Sequence, residues 1–132
     1  MSAPSVLFAC THNTVRSPMA AALYAQATGR PALSCGLVAG EQVNGFACAV
    51  MAEAGVDLLD HHPQAFDDIP DAPDLVIALT PEAAARSQRS GVATEVWPIE
   101  DPTLGEGSRE QQLDAFRRVR DDLRARILAR FT

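Results

Sequence analysis

The stretch Ser5-Val6-Leu7-Phe8-Ala9-Cys10-Thr11-His12-Asn13-Thr14-Val15-Arg16-Ser17-Pro18 decides how the rest of the chain is read. Ser5 to Ala9 is a short, largely apolar run that stops at Cys10, and such a run reads as a buried strand. Cys10 to Arg16 is polar and irregular. Ser17-Pro18 then opens an alanine-rich segment, Met19 to Thr28, closed by Gly29. Proline in the first turn and glycine past the last residue fit a helix. The order is strand, loop, helix, with a cysteine where the strand ends and an arginine just before the helix.

Working outward, Ala32 to Cys35, Leu75 to Leu79 and Thr94 to Trp97 read as further strands, the last stopped by Pro98. Asn44 to Ala54 reads as a helix, with Val43, Phe46, Val50 and Ala54 near helical spacing and Gly55 as its stop. His61 to Pro73 is polar, broken by Pro63, Pro70 and Pro73, and reads as loop with one helical turn. Thr80-Pro81-Glu82 starts a helix that runs to about Ser90. Ser108 and Gln111 have capping-box spacing. Behind them Leu113, Phe116, Val119, Leu123 and Ile127 form one apolar stripe of a final helix. Strands alternating with helices imply a parallel sheet covered on both faces, joined by right-handed crossovers. The expected architecture is α/β: a doubly wound four-stranded parallel sheet in the flavodoxin-like order 2-1-3-4. Ligands in such sheets sit beyond the carboxyl ends of the strands, at the switch point. Here the loop at that point begins with Cys10.

Composition narrows the chemistry. A chain of 132 residues has the length of one domain, read as residues 1–132, and 47% apolar residues suffice for a packed core. The formal charge is −6 and every basic residue is arginine, in no basic run, which argues against nucleic-acid or membrane-surface partners. Cys10, Cys35 and Cys48 have neither disulfide-framework nor zinc spacing. His61-His62 lack ligand spacing, so neither metal nor cofactor is expected. Met1-Ser2-Ala3-Pro4 lacks the basic start of a signal peptide, and a reducing cytoplasm is the expected location. Trp97 and Tyr24 read as core aromatics, and Cys48 as a core position on its helix.

The loop Cys10 to Ser17 has the residues an oxyanion site needs. Backbone N–H groups of Thr11, His12, Asn13, Thr14 and Val15 converge on one anion with help from the following helix N-terminus. Arg16 adds a permanent charge and a two-pronged donor. The same field favours the ionised thiol of Cys10, which then lies beneath a bound phosphate and can attack phosphorus in line. Ser17 is placed to hydrogen-bond that sulfur. Asn13 tolerates the left-handed backbone a tight loop requires. A phosphate ester also needs a proton for its leaving oxygen. The candidate donor is Asp101, in Pro98-Ile99-Glu100-Asp101-Pro102, which follows the fourth strand and so emerges at the same sheet edge as Cys10. Pro102 stiffens this segment, and Glu100 offers a like charge beside Asp101.

These residues resemble the low-molecular-weight protein tyrosine phosphatase family, whose relatives include the thioredoxin-coupled arsenate reductases. The likeness rests on Cys10-x5-Arg16-Ser17 with Asn13 inside it, on Ser34-Cys35-Gly36, on Asp74-Leu75-Val76-Ile77 and on Asp101-Pro102. It implies a cysteinyl-phosphate intermediate, with Cys10 as nucleophile, Arg16 as phosphate binder and Asp101 as acid, then base. It implies also that Ser34 braces Asn13. The chain departs from the family at three places. Thr103-Leu104 follow the Asp-Pro where tyrosine phosphatases usually carry aromatics. Val15 stands where many eukaryotic relatives have a second cysteine. His12, a rim residue, replaces a common glycine.

The expected substrates are a phosphorylated protein or a small phosphoester, with phosphate or arsenate as the anion bound. Arsenate reduction is the rival reading. Reductases that resemble this chain place relay cysteines at positions matching Thr80 and Ser87, so a resolving thiol has to be Cys35 or come from solution. A phosphate-binding module without turnover is the third reading, and it conflicts with the presence of both nucleophile and acid.

Overall fold

The five residues Val6–Cys10 form the first strand, β1, and all five are buried. A strand buried on both faces needs apolar side chains at consecutive positions, which is what this run supplies. The computed structural model describes residues 4–132; Met1, Ser2 and Ala3, on which the signal-peptide reading partly rests, lie outside the described residues. Three further strands, β2 (Leu33–Gly36), β3 (Leu75–Ala78) and β4 (Thr94–Val96), complete a parallel sheet in the order β2-β1-β3-β4. The expected fold class and strand order are thus observed. β2 is shifted one residue later than expected, because Gly36 still pairs with Cys10.

Helices α1 (Arg16–Thr28), α2 (Gly45–Glu53), α3 (Pro81–Arg89) and α4 (Arg109–Phe131) connect and follow the strands. Their ends obey local chemistry. Gly29 closes α1 at φ 71° and donates to the Ala25 carbonyl at 2.9 Å, a conformation open to glycine at no steric cost. Asn44 and Thr80 cap α2 and α3 through side-chain oxygens that accept from Ala47 N and Ala83 N. Ser108 and Gln111 form the reciprocal pair expected of them, at 3.2 and 2.8 Å. The helical turn anticipated in the 61–73 loop is a 3-10 turn at Phe66–Asp68. A second one, Pro102–Leu104, was not anticipated.

Alternation along β1 sorts the core into two layers. Val6, Phe8 and Cys10 face the layer built with α1, α2 and α4, while Leu7 and Ala9 face α3 and the Phe66–Asp68 turn. The larger layer takes Met19, Leu23 and Tyr24 from α1 and the whole α4 stripe, Leu113, Phe116, Val119, Leu123 and Ile127. Phe8, Tyr24, Trp97 and Phe131 stack edge-on or tilted, with centroids 5.0–6.3 Å apart. Tyr24 is buried and Trp97 partly so, in keeping with their reading as core. Cys48 is only partly buried at the edge of this layer. Among the described residues no helix is long and apolar enough to cross a membrane.

Phe8 is fully buried, whereas Leu128 on α4 is 42% exposed. Phe8→Ala is expected to cost about 3–5 kcal/mol of folding stability, and Leu128→Ala about 0.5 kcal/mol or less. Urea denaturation of the two variants checks the contrast.

Candidate active site

β1 ends at Cys10 and α1 begins at Arg16, so the loop between them must turn within five residues. The five carbonyl groups from Cys10 to Thr14 are all held from outside the loop. Cys10 O accepts from Leu37 N at 3.1 Å, Thr11 O from Val38 N at 3.0 Å, His12 O from Gly40 N at 2.9 Å and Thr14 O from Asn44 N at 3.0 Å. Asn13 O is met by His61 Nε2 at 2.9 Å. A trans peptide points its N–H opposite to its C=O. Five carbonyls drawn outward therefore turn the amides of Thr11 to Val15 toward the inside of the loop. Among the described residues, no protein group accepts from the amides of His12 to Val15, and no side chain caps the first turn of α1. Inward amides at a helix N-terminus form a ready anion cradle.

A second set of bonds fixes the loop from behind. Asn13 sits at φ 59°, the one positive value at a non-glycine position among the described residues. Its buried amide donates to Ser17 Oγ at 2.8 Å and Ser34 Oγ at 2.9 Å, and its Oδ1 accepts from Gln64 N at 2.9 Å. Gln64 in turn donates to Ser34 O at 3.0 Å. Ser34 thus contacts Asn13 through its hydroxyl and, by way of Gln64, through its carbonyl. Ser17 Oγ lies 2.9 Å from Cys10 Sγ and 3.2 Å from Cys35 O. With Asn13 donating to it, the single Ser17 hydrogen is left for one of these two acceptors.

A cup of about 40 Å³ opens inside the loop, lined by Cys10, His12, Thr14, Val15, Arg16, Asp101 and Thr103. Its size suits a compact oxyanion. Arg16 is held across it: Nη1 donates to Ile99 O at 3.1 Å and Nη2 to Thr11 Oγ1 at 3.4 Å. Asp101 Oδ2 lies 4.0 Å from Arg16 Nη2. The structure thus brings Cys10, Arg16 and Asp101 together with His12, Thr14 and Val15. The side chains of Asn13, Ser17 and Ser34 lie behind the loop, and Thr11 faces a neighbouring groove. Glu100 does not crowd Asp101 from inside the cup. Its carboxylate turns to Arg118 at 3.7 Å.

Cys35, Thr80 and Ser87 are committed elsewhere. Cys35 is fully buried in the α3-side layer, on the opposite sheet face from Cys10. Burial first, and then the neighbouring Cys10, push its thiol up to about 12. Thr80 caps α3, and Ser87 Oγ pairs with Thr94 Oγ1 at 2.7 Å. Among the described residues no cluster of three or more His, Cys, Asp or Glu is arranged to hold a metal. Sequence reasoning missed His61 and Gln64. The only signal available was a polar loop with a histidine pair, weighed solely as metal ligands.

The sequence matches, over residues 5–129, the family described as low molecular weight phosphotyrosine protein phosphatase. The chain belongs to this family. An arsenate reductase of Bacillus licheniformis is 35% identical over 132 aligned residues, spanning 96% of this chain and 94% of that protein. Among solved structures, the Erwinia amylovora tyrosine phosphatase amsI aligns with TM-score 0.79 at 26% identity, over 97% of this chain and 92% of that one. An arsenate reductase from Archaeoglobus fulgidus aligns with TM-score 0.72 at 27% identity, over 95% and 97% respectively. The family therefore includes, at comparable likeness to this chain, proteins named for both activities.

Two outcomes follow from the loop's supports. Burial depresses His61 below its usual value of 6.5, against the opposing pull of its bond to Asn13 O. The unfolded chain then binds more protons than the folded one in the window below 6.5, so stability rises with pH there. His61's contribution is full above 6.5 and is lost as pH falls toward the folded value. Thermal melts from pH 7.5 to 5 should show declining stability, with a shallower slope in His61→Gln. Separately, a Cβ on Gly36 would lie 2.7 Å from Thr11 O and 2.8 Å from Asn13 N. Backbone cannot yield cheaply, so Gly36→Ala is expected to cost about 1–3 kcal/mol and to weaken competitive inhibition by inorganic phosphate.

Proposed function

We propose that this protein hydrolyses phosphate monoesters through a cysteinyl-phosphate intermediate on Cys10. The observation that carries the reading is that Cys10, Arg16 and Asp101 line one small cup beside the loop's inward amides, with Asp101 Oδ2 4.0 Å from Arg16 Nη2. A phosphoryl group held by the amides and the Arg16 fork presents phosphorus to the sulfur. The Cys10 thiolate attacks, an S–P bond forms and the ester P–O bond breaks. Asp101 gives its proton to the departing oxygen as that bond breaks. Asp101, now a carboxylate, takes a proton from water, whose oxygen attacks phosphorus. The S–P bond breaks, inorganic phosphate leaves and the thiolate is restored. Ser17 stabilises that thiolate in both steps through its hydroxyl. The organic part of the ester has room in the adjoining groove of about 540 Å³, which shares Arg16 and Asp101 with the cup and is walled by Pro81, Pro98 and Leu104. We place the protein among cytoplasmic enzymes acting on a phosphorylated protein or a small phosphoester, and read residues 1–132 as a single catalytic domain.

Arsenate reduction is the second reading, and the 35% identity to a protein named arsenate reductase favours it. Arsenate has the shape and charge of phosphate and would enter the same cup. Against an internal thiol relay stand the hydroxyls at Thr80 and Ser87 and the orientation of Cys35 on the other sheet face. Under this reading the reducing thiol comes from solution.

Turnover of p-nitrophenyl phosphate, abolished in Cys10→Ser, supports hydrolysis. Arsenate-dependent consumption of an added thiol, with no ester turnover, would reject hydrolysis in favour of reduction. Phosphate binding with neither activity would leave a binding module. For a hydrolase, Asp101→Asn should lower kcat/KM by roughly 10²–10⁴-fold for phenyl phosphate, whose leaving group needs protonation. The loss for p-nitrophenyl phosphate should be much smaller.

A further inference from the structure

The two oxygens of Asp101 have unlike surroundings. Oδ2 faces Arg16 across the cup at 4.0 Å. Oδ1 accepts twice from one residue: from Thr103 N at 2.9 Å and from Thr103 Oγ1 at 2.6 Å. The backbone bond is the cap of the short 3-10 turn Pro102–Leu104, and any residue at position 103 other than proline can supply it. The hydroxyl bond depends on the residue being threonine or serine.

We propose that Thr103 is a positioning residue that selects which oxygen of Asp101 carries the working proton. The inference rests on the reading of Asp101 as general acid and deepens it. A carboxyl group turns about its terminal torsion in a broad, two-fold well, so its oxygens exchange freely unless something distinguishes them. Two donors directed at Oδ1 distinguish them. An oxygen that accepts two hydrogen bonds is a poor place for a hydrogen, so the neutral acid holds its proton on Oδ2, on the side of Arg16 and the cup. When that proton passes to a leaving oxygen, Oδ1 keeps both bonds, and the carboxylate is already oriented to accept a proton from water. No reorganisation is required between the two steps. Thr103 is suited to this because its branched Cβ restricts χ1, and the ring of Pro102 fixes the backbone just before it.

The test compares Thr103→Val, which keeps the branched shape and removes the hydroxyl, with Thr103→Ser, which keeps the hydroxyl. Asp101→Asn is measured alongside. The readouts are kcat/KM for phenyl phosphate and p-nitrophenyl phosphate, and the inhibition constant of inorganic phosphate. Thr103→Val is expected to lose roughly tenfold with phenyl phosphate, the scale of one strong hydrogen bond, and less than about threefold with p-nitrophenyl phosphate. Thr103→Ser should restore the phenyl phosphate rate, and the phosphate inhibition constant should be the same in Thr103→Val as in Thr103→Ser. A merely structural role would lower both substrates equally or weaken phosphate binding, and either result overturns the proposal. If Asp101→Asn shows strong leaving-group dependence while Thr103→Val shows none, Asp101 is an acid that Thr103 does not position. If Asp101→Asn itself shows no such dependence, the acid assignment fails and the role of Thr103 falls with it.

Discussion

Five backbone carbonyls, from Cys10 to Thr14, have to point away from the cup for the cup to exist. A carbonyl turned inward would meet an anion with its negative end and would withdraw the amide of the same peptide from it. The chain meets this demand with donors from three separate places: the Leu37–Gly40 stretch after β2, the amide of Asn44 just before α2, and the ring of His61. Much of the irregular chain on this edge of the sheet is thereby accounted for. Gly36 and Gly40 lie where a side chain would strike the loop, so these flanking segments can approach closely enough to donate.

The same constraint explains how an acidic protein can bind an anion. The net charge of −6 says nothing about a site whose positive potential comes from amides, a helix N-terminus and one arginine. Arg16 is held by the Ile99 carbonyl and so does not depend on Asp101 for its orientation. Asp101 approaches it only to 4.0 Å. At that distance the two side chains face each other across the cup without a tight ion pair.

Much of this was legible in the sequence, and the reasons are local. An apolar run, a polar loop with cysteine and arginine at its ends and a Ser-Pro helix start fix β1, the loop and α1 within one continuous segment. The capping pair Ser108 and Gln111 and the α4 stripe are equally local. Asp101-Pro102 was read for proton donation, and the structure adds that one oxygen of Asp101 caps a short turn while the other lies 4.0 Å from Arg16. What escaped the sequence is non-local. His61 lies 48 residues from Asn13, and Gln64 lies 51 from it. A bond to a backbone carbonyl leaves no spacing rule behind, because the acceptor is present in every residue. His61-His62 was weighed for metal ligation because that chemistry has a sequence pattern. Its actual partner has none.

Sheet geometry also sets a limit on the redox chemistry open to this chain. Cys10 pairs with Gly36 and Cys35 with Ala9, so the two cysteines are diagonal neighbours on adjacent parallel strands. Their backbones are close, but alternation sends the sulfurs to opposite faces of the sheet. A disulfide requires the two Cβ atoms to approach one another, and no rotamer choice reverses the side of a strand from which a side chain leaves. Bridging them would mean a one-residue slip of β2, which would turn its side chains over and break the Ser34–Asn13 contact that steadies the loop. Any oxidation at Cys10 that leaves the fold intact must therefore be resolved by a thiol from outside these two strands. Burial, which raises the Cys35 thiol well above its usual value, points the same way, since only a thiolate attacks.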